Sequence, residues 1–153
     1  MKETELSIRV FPDPVLAKVA KPVKEITSHH RKILSEMAQL MYEASGVGLA
    51  APQVGISEAL IVVDAGSGLY KLINPRIIIQ EGTQANEEGC LSVPGITIKV
   101  KRAKKITLCA MDESAKEIII EAEDLLACVF QHELDHLNGK LIIDYGELPK
   151  PKK

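Results

Sequence analysis

The feature that most constrains this chain is a histidine pair in the stretch His-Glu-Leu-Asp-His, which begins at His132. Residues four positions apart lie on the same face of an α-helix, about 5–6 Å apart at Cβ. On a helix, His132 and His136 therefore reach one metal ion, and Glu133 lies where it can accept a proton from metal-bound water. Burying two imidazoles without partners is unfavourable, so the spacing favours a metal site over two core histidines.

The residues around this pair are typical of an amphipathic helix. From Glu123 to Asn138 the apolar residues recur at spacings of three and four. Acidic residues begin the segment, as the helix dipole favours, and Asn138-Gly139 is a stop signal. At about 100° per residue, Leu125 and Val129 share a face with the two histidines. The sequence therefore predicts a helix over 123–138 whose metal-bearing face is also apolar.

Composition limits the class of protein. With 153 residues, 46% of them hydrophobic, and without a repeat or linker, the chain is expected to form one catalytic domain over 1–153. The formal net charge of −2 does not indicate a nucleic-acid-binding protein. No apolar run has transmembrane length, and no signal peptide is evident. Three cysteines, an odd number, indicate a reducing compartment. We expect a cytoplasmic monomer that binds neither nucleic acid nor membrane.

Two histidines do not complete a catalytic metal site, which normally takes three protein ligands and leaves one position for water. No histidine follows His136, and His29 and His30 are expected on a solvated helix surface. Cys90 is the better candidate, because Gly89 allows the main chain to approach a ligand closely. Taken alone, one cysteine is as readily a small buried hydrophobe as a ligand.

The other two cysteines favour the hydrophobe interpretation. Cys109 lies inside a predicted strand over 105–111. Cys128 lies on the long helix and is interpreted as pointing away from the histidine face. Neither is therefore expected to contribute to the metal site.

A glycine-rich segment from Gly46 to Gly55 matches the pattern G-x-G-x-x-A. A dinucleotide-binding fingerprint needs a strand before it and a helix after it. Here an amphipathic helix capped by Thr27 or Ser28 precedes the segment, and a strand over 59–63 follows it. The segment, which contains Gln53, better suits a site wall that grips a peptide backbone.

Taken together, three segments resemble the motifs of the peptide deformylase family, metallohydrolases that remove the formyl group from the N-terminus of new polypeptides. The family patterns G-x-G-x-A-A-x-Q, E-G-C-x-S and H-E-x-D-H begin here at Gly46, Glu88 and His132. The likeness covers nearly the whole chain. It is much more specific than the histidine motif alone.

The resemblance implies roles for six residues. Cys90, His132 and His136 hold one divalent metal ion per chain, Fe(II) in the typical enzyme, with zinc, nickel or cobalt able to replace it. Metal-bound water attacks the formyl carbon, and Glu133 acts as general base and acid. The Gln53 side chain and the Leu91 N–H form the oxyanion hole. The role of Asp135 is open between orienting a ligand histidine and capping nearby backbone.

The expected substrates are N-formyl-Met peptides and nascent chains. Leu125 and Val129 precede the metal ligands on the same helix face, so they either line an apolar pocket for methionine or belong to the core. Val47, Gly48 and Gly89 are expected to present main-chain groups to the peptide.

The predicted fold is α+β, with antiparallel or mixed β-sheets packed around the central His-Glu-x-x-His helix and with an N-terminal helix. Strands are predicted between the helices at 69–73, 76–80, 96–100, 105–111 and 117–122. The basic residues of 99–105 fit a strand with one solvated face. Arg102 is the exception, because Glu88 is its expected partner.

One segment departs from the family. The tail from Gly146 to Lys153 contains two prolines and is not expected to form the further C-terminal helix that many bacterial members use for ribosome docking. Any ribosome contact is therefore expected to be transient and to lack that helix. Two rival functions remain, a zinc endopeptidase and an inactive metal-holding binding protein. Neither accounts for the presence of Gln53, Cys90 and Glu133 together.

Overall fold

The fold is described from a computed structural model, which describes residues 6–145. Within that range the helices are α1 (Ser28–Glu43) and α2 (Asp124–Leu137). The strands are β1 (Gly48–Ala50), β2 (Leu60–Val63), β3 (Tyr70–Glu81), β4 (Gln84–Cys90), β5 (Val93–Arg102), β6 (Lys105–Met111) and β7 (Glu117–Glu123). Short 3₁₀ turns occur at Pro14–Ala17, Ala51–Val54 and Ile142–Tyr145.

The strands form two antiparallel sheets. One has five strands in the order β1-β2-β3-β6-β7, and the other is the hairpin of β4 and β5. Helix α1 packs on β1 and β2, while α2 contacts the same two strands together with β6 and β7. The strands lie between the two helices in sequence, so the predicted α+β class with a central histidine helix is confirmed.

Helix α2 has the predicted position. It ends at Leu137, Asn138 is its C-cap, and Gly139 has a φ of +74° that only glycine adopts readily. Its buried residues Ala127 and Phe130 pack in the core with Ile61 and Leu108 of the larger sheet. Apolar packing on the sheet therefore fixes the rotation of α2 about its axis, and with it the direction of the two histidines.

Helix α1 begins after Thr27, as predicted, but one of its histidines is placed differently. His29 is exposed, whereas His30 is buried, so the expectation that both are solvated was wrong for His30. The Thr27 N–H donates to His30 Nδ1 at 3.1 Å, and His30 Nε2 bonds Glu58 at 3.1 Å. The third residue of the helix folds back onto the cap, which is why it leaves the surface.

Two strand predictions need correction. The segments 69–73 and 76–80 are one strand, β3, with an irregularity at Asn74, whose φ is +52°. The Asn74 side chain bonds both backbone groups of Val23 at 2.8 Å, which stabilises the irregularity. Strand β4 was not predicted, because its sequence is polar and lacks β-branched residues; pairing with β5 makes it a strand.

The described residues contain no helix that is both long and apolar enough to cross a membrane. The predicted absence of a tail helix concerns residues 146–153 and lies outside the described residues.

Candidate active site

The three predicted ligands converge. Cys90 is the last residue of β4, and His132 and His136 lie one turn apart on α2. Cys90 Sγ lies 3.4 Å from His136 Nε2, which lies 3.2 Å from His132 Nε2. One ligand atom from each residue falls within a group spanning at most 4.8 Å. All three cysteines of the chain are free thiols, so no disulfide withholds Cys90.

These separations fit a divalent cation. Metal–nitrogen bonds of about 2.0–2.1 Å and metal–sulfur bonds of about 2.3 Å at tetrahedral angles place two nitrogens roughly 3.3 Å apart and nitrogen and sulfur about 3.6 Å apart. The distances of 3.2 Å and 3.4 Å are close to these values. A thiolate and two imidazoles suit iron, zinc, cobalt or nickel. The residues present therefore fit the metal that the motifs imply.

Glu88 holds the ring of one candidate ligand, His132, in a fixed orientation. Its Oε1 accepts from His132 Nδ1 at 2.9 Å and from Arg102 Nη2 at 2.7 Å. Since Nδ1 carries the proton, the lone pair of His132 is on Nε2, which faces the ligand cluster. The predicted Glu88–Arg102 pair is confirmed, and it is buried.

Burial and neighbouring charged groups shift the pKa values of Glu88, His132 and His136. Burial opposes ionisation of Glu88, but hydrogen bonds from Arg102, His132 and Cys128 outweigh it and lower its pKa to about 2. Burial likewise disfavours a charged His132, yet hydrogen bonds to Cys90 and Glu88 raise its pKa to about 10. Burial, and then the charge of His132, hold the pKa of His136 well below its usual value. Without metal, a positive charge is therefore favoured on His132 and disfavoured on His136.

Glu133 lies on the same turn, on the side of β1. Its carboxylate is buried, and its Oε1 has no hydrogen-bond partner within the described part of the chain. Burial raises its pKa to about 7. A Cβ on Gly48 would lie 2.5 Å from Glu133 Oε2, so only glycine leaves room for this carboxylate. A buried carboxylate that has an unpartnered oxygen and lies near candidate metal ligands is suited to proton transfer.

Gln53 is held in a fixed position beside Cys90. Its Oε1 accepts the Ala50 N–H at 3.0 Å, and its Nε2 donates to Ser92 Oγ at 3.1 Å. A longer contact of 3.6 Å joins Nε2 to Cys90 Sγ, so the second amide hydrogen points at the ligand cluster. Ser92 is fully buried and was not assigned a role from the sequence, although it is the serine of E-G-C-x-S.

A cleft of about 440 Å³ opens onto these groups. Val47, Gly48, Gly89, Leu125 and Val129, the five residues predicted to bind substrate, all line it. So do the catalytic candidates Gln53, Leu91 and Glu133. Val129 is 5% exposed and Leu125 is 57% exposed, so one forms the wall and the other the rim. Substrate binding by these residues remains a prediction.

Two side chains differ from their sequence interpretation. Cys128 does not point away from the histidine face: it lines the cleft and its Sγ donates to Glu88 Oε2 at 2.9 Å. It precedes His132 by four residues, one helical turn, and this spacing was the signal that pointed to the cleft. Asp135 contacts no ligand histidine through its side chain; it pairs with Arg102 and accepts from the Tyr145 hydroxyl at 2.6 Å. Cys109 is buried on β6 and fits the hydrophobe interpretation.

Comparisons of the sequence and the structure with known proteins agree with this arrangement of side chains. The sequence model of the family described as polypeptide deformylase matches residues 5–152. The chain belongs to the peptide deformylase family. It is 56% identical over 141 residues to the peptide deformylase of Halothermothrix orenii, covering 91% of this chain and 92% of that one. With the peptide deformylase of Carboxydothermus hydrogenoformans it shares 54% identity over 135 residues, covering 88% and 89%.

Solved structures agree. The crystal structure of peptide deformylase from Thermotoga maritima superposes with a TM-score of 0.90 at 47% sequence identity, over 92% of this chain and 96% of that one. The chain is therefore a hydrolase of the peptide deformylase family, whose reaction removes the N-formyl group from new polypeptides. Peptide deformylases are metalloenzymes, in agreement with the possible metal site formed by Cys90, His132 and His136.

Proposed function

We propose that this chain deformylates N-formyl-Met peptides with Cys90, His132 and His136 holding one divalent metal ion. The observation that carries this proposal is the convergence of one sulfur and two imidazole nitrogens beside a cleft that the buried Glu133 also lines. Fe(II) is the proposed cellular metal, and zinc, nickel or cobalt can occupy the same donor set.

A metal held by Cys90, His132 and His136 would supply Lewis acidity and would lower the pKa of water in the site. Glu133 accepts the proton of the attacking water on its unpartnered Oε1 and passes it to the departing amine. The Gln53 amide and the Leu91 N–H donate to the oxygen that becomes negative in the tetrahedral intermediate. One such donor is typically worth about 2.7–4 kcal/mol in the transition state.

The cleft selects the substrate. Val129 on its wall and Leu125 at its rim provide apolar contacts for the methionine side chain. The backbone around Val47, Gly48 and Gly89 is proposed to bind the peptide main chain, a mode that accepts varied residues after the first.

We further propose that the chain works as a single-domain, cytoplasmic monomer that meets nascent chains through transient ribosome contact and binds neither nucleic acid nor membrane. Sedimentation at several protein concentrations tests the oligomeric state. Co-sedimentation with ribosomes at low and high salt tests the contact.

The deciding experiment is release of formate from formyl-Met peptides by Fe(II)- or Ni(II)-loaded protein under anaerobic conditions. We expect turnover of the formylated peptide and no cleavage of internal bonds in its unformylated counterpart. Cleavage of the unformylated peptide would instead identify a zinc endopeptidase. Metal binding without formate release from several formyl peptides would leave a metal-holding binding protein and contradict the proposal.

A further inference from the structure

Cys128 occupies an unusual position for a cysteine without a ligand role. It lies on α2 one turn before His132, is 4% exposed, and lines the wall of the cleft. Burial, followed by its contact with Glu88, raises the pKa of the thiol to about 12. The side chain therefore keeps its S–H proton and donates it to Glu88 Oε2 at 2.9 Å.

This contact completes the hydrogen bonding of Glu88. A carboxylate has about four acceptor positions. Arg102 takes one on each oxygen, through Nη2 to Oε1 and Nε to Oε2, at 2.7 Å and 2.9 Å. His132 takes the second position on Oε1, and Cys128 takes the second position on Oε2. Opposed donors on the two oxygens fix the carboxylate plane and hence the direction of Oε1 toward the histidine.

We propose that Cys128 is a positioning residue, whose thiol holds the Glu88 carboxylate in the plane that orients the His132 ring toward the metal. The inference rests on the proposed role of His132 as a ligand. Partners beyond the ligands commonly change metal affinity by about 10–100-fold, because they fix ring direction and basicity. Without the thiol, Arg102 and His132 keep their bonds to Glu88, but Oε2 loses one of its two donors, so the carboxylate plane is held less firmly.

The test compares Cys128→Val, which removes the donor at similar size, with Cys128→Ser, which keeps a donor. Cys109→Val is the matched control, because Cys109 is 5% exposed on β6 and its Sγ meets Arg76 Nη2 at 3.9 Å, away from Glu88. The measurements are Co(II) affinity of each protein and the visible absorption of its Co(II) form, which reports ligand geometry. Thermal unfolding without metal measures packing separately.

We expect Cys128→Val to weaken Co(II) binding about 10-fold or more and to shift the visible bands. Cys128→Ser should stay within about threefold of the unmodified protein, and Cys109→Val should match it in both readouts. If Cys128→Val folds poorly, Cys128→Ala against Cys128→Ser makes the same comparison. Equal affinity and equal spectra for the Ser and donor-lacking variants would overturn the proposal and leave only packing.

The outcome is distinguishable from failure of the proposed function. If the unmodified protein does not bind Co(II) through sulfur, the metal site itself is wrong. If it binds Co(II) and releases formate while the Cys128 variants match it, only the positioning role is wrong.

Discussion

His30 and His132 have similar local surroundings, but their second ring nitrogens have different partners. Each lies on a helix, their side chains are 11% and 12% exposed, and each contacts one glutamate, Glu58 for His30 and Glu88 for His132. In His30 both ring nitrogens are engaged, since Nδ1 accepts the Thr27 N–H. In His132 only Nδ1 contacts the carboxylate, and Nε2 faces His136 at 3.2 Å.

Because both histidines contact a glutamate, such a contact does not by itself identify a histidine that binds metal. A neutral imidazole has one donor and one acceptor nitrogen. His30 uses both within the fold, so it stabilises the start of α1. His132 retains one lone pair, directed at Cys90 and His136. The second nitrogen, not the carboxylate, distinguishes the structural histidine His30 from the proposed ligand His132.

The strongest test of this contrast is His132→Ala. Loss of a ligand should weaken Co(II) binding by more than the roughly 10–100-fold that loss of an outer partner causes, and formate release should disappear with it. Metal titration monitored by absorption measures the effect. A variant that keeps the affinity of the unmodified protein would contradict the ligand role.

Glu133→Ala should leave the metal in place and remove the base. We expect turnover of formyl-Met peptide to fall about 10²–10⁴-fold, the usual contribution of general acid–base catalysis. Metal content measured on the same sample separates lost chemistry from lost metal. Glu133→Gln is the matched variant of similar shape, and a variant with a tenth of normal turnover would argue against this base.

Gly48→Ala tests the same carboxylate from the side of β1. The new Cβ would lie 2.5 Å from Glu133 Oε2 and must displace it. A displacement of about 1 Å costs up to roughly 10²-fold in rate, so we expect a 10- to 100-fold drop in kcat with metal retained. In a Glu133→Ala background the same change should have little further effect on kcat, because the two act on one feature. Independent, additive losses would show that Gly48 acts on something else.

The smallest effect is expected for His30→Ala. It removes hydrogen bonds to Thr27 and Glu58, each worth about 0.5–1.5 kcal/mol, so the free energy of unfolding should fall by about 1–3 kcal/mol. Urea unfolding measures this. Co(II) affinity and kcat/KM of the folded protein should not change; a drop in either would erase the distinction between the two histidines.

Residues within one element were largely predictable from the sequence. Spacing placed both histidines on α2, and Asn138-Gly139 marked its end. Recognition of the three motifs brought Cys90 to them, a contact between β4 and α2 that periodicity alone does not provide. The interpretation that Cys128 points away from the histidine face was wrong, because residues four positions apart, such as Cys128 and His132, lie on the same face of a helix.

Contacts between elements were not predictable in the same way. Burial of His30 depends on Glu58, which lies after α1 and the glycine-rich segment. The partners of Asp135 are Arg102 on β5 and Tyr145 in the last turn, and no local pattern relates these positions. Strand β4 has weak β-propensity and is formed by its partner, as sheet structure often is.

The segment before the first turn has a consequence for protein engineering. The Arg9 N–H donates to the Gln53 carbonyl at 2.7 Å, and the Phe11 N–H donates to the Ser92 carbonyl at 2.8 Å. These backbone residues do not line the cleft. They nevertheless bond the main chain of both Gln53 and Ser92, whose side chains are joined by a hydrogen bond. A circular permutant or a grafted loop must therefore preserve these two backbone hydrogen bonds, because they support the positions of Gln53 and Ser92.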